Sequence, residues 1–340
     1  MSKLVVSRRT LLKGGALGAL GLASGVLPGR LAFAADGLTI GIVYVGPRDD
    51  FGWNQAHAVA KTMESMIELD GANLIFATSF GYYSPFVVDE AKKYPAVQFR
   101  HAAPLWKDGD PKNAGSYFGY LDQAHYINGI AGGLSSKSNK IGFVAAKPIS
   151  SVLSNINSVL IGARKTNPNA TVQVIFTGDW SLPVREAEAT NALVDAGCDV
   201  ITCHVDSPKV VIQTAESRGV KTLGHNASQA PLAPKGFITG AEYKWITIYG
   251  QYAKTLSGGG TLPNMLVGGY DLDFVQNTAY GAGATDAAKV EMAAKKPYYV
   301  GPLKDNTGKE VIAAGTSHAP YDPWIDNINF LAEGVVGSVT

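Results

Sequence analysis

Short loops in this 340-residue sequence combine aromatic, amide and acidic side chains that could bind a small molecule. These loops are 49–54, 179–181, 206–208 and 225–228. Indole rings can stack on a flat ligand, carboxylates accept hydrogen bonds, and side-chain amides both donate and accept them. The chemistry that these residue types predict is recognition by stacking and hydrogen bonding.

Sequence motifs of catalysis are missing. The chain has no G-x-S-x-G, H-E-x-x-H or Walker loop, and no G-x-G-x-x-G follows its first predicted strand. Its histidines, at 57, 101, 125, 204, 225 and 318, lack metal-ligand spacing. Asp49-Asp50 could belong to the carboxylate cluster of a nucleoside hydrolase, a remote alternative that needs several convergent acids. We expect a binding protein with no catalytic residue, metal or cofactor.

The elements that must position these loops follow the pattern of parallel α/β layers, in which apolar strands alternate with helices. Strands are predicted at 38–45, 72–78, 97–102, 140–146, 171–178, 200–205, 220–224 and 236–243. Helices are predicted at 55–69, 152–166, 185–196 and 209–218. So many strands suggest two similar βα halves, with ligand-binding residues beyond the carboxyl ends of their strands.

The two halves are predicted to be discontinuous in sequence. The short polar segment 136–139 suggests a first crossing, and 243–244 and 258–263 suggest later ones. Lobe 1 would then comprise 35–139 plus about 244–263, and lobe 2 would comprise 140–243 plus about 264–340. In the tail, a β-hairpin is predicted from 298–300 and 311–313 around a turn at 304–308.

The first 34 residues have the organisation of an export signal. Arg8-Arg9 precedes a Gly/Ala/Leu stretch, and Ala32-Phe33-Ala34 offers a cleavage site, as in a bacterial Tat signal. The alternative is a membrane anchor, for which the stretch is short and rich in glycine. No cysteine lies near the cleavage point, so we expect a periplasmic protein without a lipid anchor.

The composition and the cysteine spacing argue against a nucleic-acid partner and against a disulfide bond. The chain is 46% hydrophobic and 17% charged with a net charge of +1, which favours a packed globular protein that does not bind nucleic acid. Cys198 and Cys203 lie five positions apart, and the residues between them, 199–202, are interpreted as the start of a buried strand. An extended segment would hold their Cα atoms beyond the ~7 Å limit for a disulfide, so two buried thiols are expected.

A series of runs, in their order and spacing, is similar to the motifs of a known family. They are 50–55, 126–129, 140–144, 162–164 with 167–168, 177–180, 197–201, 224–229 and 301–308. On these runs the chain resembles the BMP (basic membrane protein)-like substrate-binding proteins of ABC transporters, which include purine nucleoside receptors. The resemblance implies a type I periplasmic-binding-protein fold, with two doubly wound parallel-sheet lobes joined by three hinge strands. It also implies an ABC permease as partner and a monomer, which is the default state of this class.

The resemblance assigns roles to several residues. In purine-binding members an aromatic ring from each lobe sandwiches the base, and the matching positions are Trp53 and Trp180. Such stacking contributes about 1–3 kcal/mol per face, although either tryptophan could instead pack in the core. Asp50 and Asn54 match polar positions that fix the ligand, with a helix N-cap as the alternative. Phe51 belongs to the same run and is included in the predicted site.

The second lobe and the hinge contribute the remaining candidates. Asp206 would add a polar contact, whereas His204, two residues earlier, is interpreted as a core histidine on its strand. Lys244 matches a lysine that lies close to the sugar in the family, with an ordinary surface lysine as the alternative.

One departure from the family pattern bears on the ligand. The family run Gly-Val-Asp-Ser-Asp-Gln appears here as 224–229, with Asn226 and Ser228 in place of both aspartates. In nucleoside-binding members the first aspartate accepts hydrogen bonds from the ribose, and a charged acceptor bonds roughly twice as strongly as a neutral one. The sequence therefore predicts capture of a purine nucleobase or nucleoside by lobe closure. Another flat heterocycle, such as a flavin, is the alternative.

Overall fold

The structure is a computed structural model that describes residues 38–43, 53–284 and 297–339, and the side chains of all of these except 53–59. The predicted export signal lies outside the described residues. Within them, no helix combines the length and the apolar character needed to cross a membrane.

The helices and strands alternate through most of the described chain. The helices are α1 (Trp53–Glu68), α2 (Val88–Lys93), α3 (Asp122–Ser135), α4 (Ser150–Thr166), α5 (Pro183–Asp195), α6 (Lys209–Ser217) and α7 (Trp245–Ser257). The longer strands are β1 (Ile40–Val43), β2 (Leu74–Ala77), β3 (Gln98–Ala102), β4 (Ala114–Gly119), β5 (Lys140–Ala145), β6 (Thr171–Phe176), β7 (Val200–His204), β8 (Lys221–Asn226), β9 (Phe237–Tyr243) and β10 (Met265–Gly268). The shorter ones are β11 (Val275–Asn277), β12 (Tyr299–Val300), β13 (Leu303–Lys304), β14 (Glu310–Ile312), β15 (Ser317–His318) and β16 (Val335–Val336).

Two large sheets contain twelve of these strands, and β12 to β15 form two short antiparallel pairs. The first has the order β1-β2-β3-β4-β10 and is parallel throughout. The second has the order β11-β9-β8-β7-β5-β6-β16, in which only β11 is antiparallel to its neighbour. The predicted α/β architecture with two parallel sheets is confirmed. Every predicted strand from 38–45 to 236–243 corresponds to one of these strands.

Apolar side chains on both faces of each sheet explain why its strands read as nearly continuous hydrophobic runs. On one face of the first sheet, Met63, Ile75 and Phe99 belong to a buried cluster. On the other face, Phe76 and Tyr252 belong to a second cluster, which buries α7 against the sheet. Helices on both faces leave the carboxyl edge of the sheet open for ligand contacts.

Helices α3 and α4 pack backbone to backbone. A Cβ atom added at Gly162 would lie 2.1 Å from the carbonyl oxygen of Tyr126, and one added at Gly129 would lie 2.2 Å from that of Val159. Only glycine permits this approach, which gives a packing reason for two of the runs that carry the family resemblance.

The first crossing between the sheets precedes α3. This helix packs against α4, β8 and β9 of the second sheet, whereas the sequence suggested a crossing at 136–139. That segment is instead a turn held by Asp199, whose carboxylate accepts the backbone N–H groups of Lys137 and Ser138 at 2.6 and 2.9 Å. Its polar character reflects this turn.

The crossing segments lie side by side. The N–H of Tyr120 donates to the carbonyl of Gly268 at 2.9 Å, and the N–H of Lys244 donates to that of Phe274 at 2.8 Å. Since β10 pairs with β4, the first sheet continues past residue 263, where the sequence suggested the return.

The strand pairing in the tail differs from the prediction, whereas the state of the two cysteines agrees with it. The predicted hairpin of 298–300 with 311–313 is wrong in its pairing, because β12 pairs with β15 and β13 pairs with β14. Cys198 and Cys203 are free and buried, as predicted. Burial raises the pKa of the Cys198 thiol to about 11 and raises that of Cys203 further, so both stay protonated.

Candidate ligand-binding site

The carboxyl ends of the two sheets face a shared space at the hinge, which we call the inter-sheet cavity. Strand β4 of the first sheet and helix α4, which follows β5 of the second, both contribute to its walls. Its lining includes Phe118, Tyr120, Asp122, Asn155, Tyr243 and Asp326. Open parallel sheets bind their ligands in such positions.

Two carboxylates line the inter-sheet cavity and accept hydrogen bonds from tyrosines. Tyr298 donates to Asp122, and Tyr120 donates to Asp326 over 2.8 Å. Burial raises the pKa of Asp122 to about 6 and also raises the pKa of Asp326. These carboxylates are hydrogen-bond acceptors on the wall of the cavity, whose volume of about 20 Å³ has room for a water molecule and not for a heterocycle.

Trp180 lies just beyond β6, at the carboxyl edge of the second sheet. Gly178, at a φ of +92°, turns the chain without the strain that a Cβ atom would cause. The Asp179 carboxylate accepts the backbone N–H of Trp180 at 2.9 Å and pairs with Lys147 at 2.9 Å, and this pairing lowers the pKa of Asp179. The indole is partly buried against two apolar clusters, so it both packs on the core and retains accessible surface.

His204 ends β7 beside Trp180. Their ring centroids are 6.0 Å apart, and the His204 ring lies 4.2 Å from that of His225. The amide nitrogen of Asn155 lies 2.8 Å from His204 Nδ1. The prediction of a core histidine is only partly right, because His204 is the one residue of β7 that is not fully buried.

Behind His204 lies a buried imidazole pair. His125 Nε2 and His225 Nδ1 are 3.0 Å apart, and both residues are inaccessible to solvent. Desolvation lowers the pKa of all three imidazoles, to about 3 for His204 and well below the usual value for His125 and His225. These three imidazoles are therefore uncharged at neutral pH.

Asp206 connects the loops that follow β6 and β7. Its backbone N–H donates to the carbonyl of Trp180 at 2.7 Å. The residue is exposed at the surface. Desolvation and the nearby charges of Asp179 and Glu186 raise its pKa to about 6.

Asn226 ends β8 with a φ of +67°. Asparagine is one of the few residues that adopt this left-handed conformation readily, which gives a structural reason for its presence. Around it, Gln229 brackets His225 with two hydrogen bonds of 2.8 Å. A Cβ atom at Gly224 would lie 2.5 Å from the Gln229 side-chain oxygen, so glycine at position 224 leaves the space that the Gln229 side chain occupies.

Lys244 lies at the hinge, at the start of α7. Its Nζ pairs with Asp273 at 2.5 Å and connects two crossing segments. The role of Lys244 near a sugar stays a prediction.

Four predicted contacts of the first lobe lie at the limit of the described chain. Asp50 and Phe51 are outside the described residues. Trp53 and Asn54 are described only as backbone, and α1 begins at Trp53, so Asn54 lies within the first helical turn. The contacts of these four side chains with a ligand stay predictions.

The structure brings some predicted residues together and adds others. Trp180 and Asp206 meet at the carboxyl edge of the second sheet, whereas Lys244 stands apart at the hinge. Asp122 and Asp326 were missed, since the bond between Tyr120 and Asp326 joins positions 206 residues apart. Among the described residues, no three His, Cys, Asp or Glu side chains are arranged to hold a metal ion.

Comparison with known proteins places this site in a family. Residues 60–273 match the family model described as ABC transporter substrate-binding protein PnrA-like. A purine-binding protein of Brucella abortus is 30% identical, covering 92% of this chain and 97% of that protein. A Haloferax volcanii protein named as an ABC transporter glucose-binding protein is 29% identical, covering 87% and 80%. A solute-binding protein of an ABC transporter from Conexibacter woesei superimposes with a TM-score of 0.56 at 19% identity, covering 74% and 93%.

The two sheets, the hinge crossings and these likenesses define a type I periplasmic-binding protein, the fold that the sequence predicted. The chain belongs to the PnrA-like family of ABC transporter substrate-binding proteins. Such proteins work outside the cytoplasmic membrane, bind a small molecule and have an ABC permease as partner. The predicted family is therefore confirmed.

Proposed function

We propose that this protein captures a purine nucleobase or nucleoside between its two lobes and delivers it to an ABC permease for import. One face of the heterocycle stacks on Trp180, and the other stacks on Trp53 after the lobes close around the hinge. The observation that carries the proposal is the position of Trp180, a partly accessible indole held by Asp179 and Asp206 at the carboxyl edge of the second sheet.

The imidazoles beside Trp180 support a neutral, flat ligand. The neighbouring imidazoles are uncharged, because burial lowers their pKa values. The named ligand class of the Brucella abortus relative supports a purine in particular. Ligand drives closure only by its greater affinity for the closed state.

The proposal extends to export and assembly. Residues 1–34 act as a Tat-type signal, and the mature chain is a periplasmic monomer without a lipid anchor.

The proposed ligand class is tested by calorimetric titration of protein that has been unfolded and refolded to remove any carried ligand. The panel contains purine bases, their nucleosides, riboflavin and glucose. Saturable binding of a purine supports the proposal. Binding of riboflavin or glucose without any purine contradicts it.

Trp180→Ala is expected to weaken purine binding by about 1–3 kcal/mol, the range for one base–aromatic stack. Two matched variants separate stacking from core packing. Trp180→Phe keeps a flat ring and should retain most of the affinity, whereas Trp180→Leu fills apolar space without a ring and should behave like the alanine variant. Equal affinities in the Phe and Leu variants would show that Trp180 does not stack on the ligand.

Asn226→Asp is expected to raise the ratio of nucleoside to nucleobase affinity about fivefold. A charged acceptor adds about 1 kcal/mol to a hydrogen bond from a ribose hydroxyl. Aspartate tolerates the left-handed backbone at this position, so the fold should persist. Asn226→Gly, which keeps the backbone and removes the side chain, is the control. An unchanged ratio in the Asp variant contradicts the role assigned to this position.

A further inference from the structure

His204 is held in one orientation by three neighbours. The Asn155 amide lies against its Nδ1 at 2.8 Å, the His225 ring packs on it with centroids 4.2 Å apart, and Trp180 lies 6.0 Å away at an interplanar angle of 47°. Asn155 itself lines the inter-sheet cavity. His204 thus stands between the cavity and the indole that the proposed function assigns to stacking.

The contact with Asn155 fixes the tautomer of His204. The Asn155 Nδ2 group can only donate, so His204 Nδ1 accepts and the ring proton resides on Nε2. Within the part of the chain that the structure describes, Nε2 of His204 has no protein partner. The Nε2 of His225 also has no partner among the described residues but is buried, whereas His204 is only partly buried.

We propose that His204 is a specificity-determining residue, whose Nε2–H donates a hydrogen bond to an acceptor atom on the rim of the flat heterocycle that stacks on Trp180. The inference rests on the proposed function, since it requires a ligand on that indole. A ligand stacked there presents its rim to the neighbouring wall, and His204 is the ring neighbour of Trp180 among the described residues. The lone pairs of unprotonated ring nitrogens lie in the ring plane and point outward at this rim, so the acceptor that we assign is a ring nitrogen.

The donor keeps its character across the physiological range. Burial lowers the pKa of His204 to about 3, so the ring stays neutral and carries a single N–H in a fixed direction. A neutral site that is built to donate discriminates against an analogue that lacks the acceptor, because the donor is then left without a partner.

Single-atom analogues test this donor. Adenine and its 1-, 3- and 7-deaza analogues, each lacking one ring nitrogen, are titrated calorimetrically into the ligand-free full chain. The wild type should bind one analogue about tenfold more weakly than adenine. His204→Phe, which keeps a flat ring without a donor, should bind adenine and that analogue equally. His204→Gln, which keeps an N–H donor, should retain part of the preference.

The outcomes separate this inference from the proposed function. If the wild type binds no purine, the proposed function fails and the inference fails with it. If the wild type binds purines but shows no analogue preference, or keeps that preference in His204→Phe, the inference alone is overturned. A measurement on the unmodified protein is independent of any folding defect in the variants. The ¹⁵N chemical shifts of the His204 ring must report a proton on Nε2, and a proton on Nδ1 overturns the inference.

Discussion

Gly162→Ala is expected to lower the free energy of unfolding by about 2–3 kcal/mol. The added methyl group would lie 2.1 Å from the carbonyl oxygen of Tyr126 and 3.0 Å from the backbone nitrogen of Ile130. Both atoms belong to the backbone of α3, so relief requires the two helices to move apart. The gain in helix propensity, about 1 kcal/mol for Gly to Ala, offsets only part of this cost. Urea denaturation followed by circular dichroism measures the difference.

A Gly to Ala substitution on an exposed helix surface is the control, and it should change the free energy of unfolding in the opposite direction. Gly250 lies on the exposed surface of α7, and a Cβ atom there meets nothing within 4 Å. Gly250→Ala should therefore stabilise the protein by about 0.5–1 kcal/mol. If Gly162→Ala also stabilises the protein, the close approach of α3 and α4 is wrong.

Acidification from pH 7.5 to pH 5.5 is expected to lower the free energy of unfolding by about 3–5 kcal/mol. Desolvation lowers the pKa of His101 to about 4 and that of His204 to about 3, and it lowers those of His125 and His225 as well. Below pH 6.5 the unfolded chain protonates these rings while the folded protein keeps them neutral. The contribution of these neutral rings to the free energy of unfolding is therefore fully present above pH 6.5. As the pH falls below that value, the contribution of each ring decreases by up to about 1.4 kcal/mol per pH unit.

Acids with raised pKa values oppose part of this trend. Asp122, at about 6, takes up a proton in the folded state before it does so in the unfolded chain, and exposed Asp206 does so more weakly. Glu186 and Asp326 act in the same direction, because burial raises their pKa values. The histidines dominate between pH 7.5 and 5.5, because the unfolded histidine titrates within that interval.

Denaturation at a series of pH values tests the histidine effect. His101→Gln removes one titrating ring, so its stability should change less steeply with pH than that of the wild type, whatever its stability at pH 7.5. Stability that is constant between pH 7.5 and 5.5 would contradict the neutral state of these buried rings.

The fold was largely predictable from local sequence, and the missed elements have physical reasons. Strands such as β5 and β7 are short β-branched or apolar runs, which periodicity detects. Strand β4 has the sequence AGSYFG, whose glycines and serine are typical of a loop, and pairing on both sides overrides that preference. Helix α3 contains Gly129, Gly132 and Gly133, which are poor helix formers that close packing requires.

The site was predictable only where a loop follows a recognisable strand. Trp180 follows β6, and its place at the carboxyl edge could be inferred from that alone. His204 was assigned to the core because alternation along a strand does not show which end residue reaches the surface. The contact of Asp326 with Tyr120 depends on the path of the tail, which no local pattern encodes.

The hydrogen bond from the Asp206 N–H to the Trp180 carbonyl has a thermodynamic consequence. Together with the bonds to Asp179 and the packing on two apolar clusters, it restrains the indole before any ligand arrives. Ordering a long side chain at an interface costs about 0.5–1.5 kcal/mol, and a restrained side chain has less of this entropy to lose. In the proposed capture, the second lobe therefore presents a preorganised stacking surface, and the Trp180 side chain loses little conformational entropy when a heterocycle binds to it.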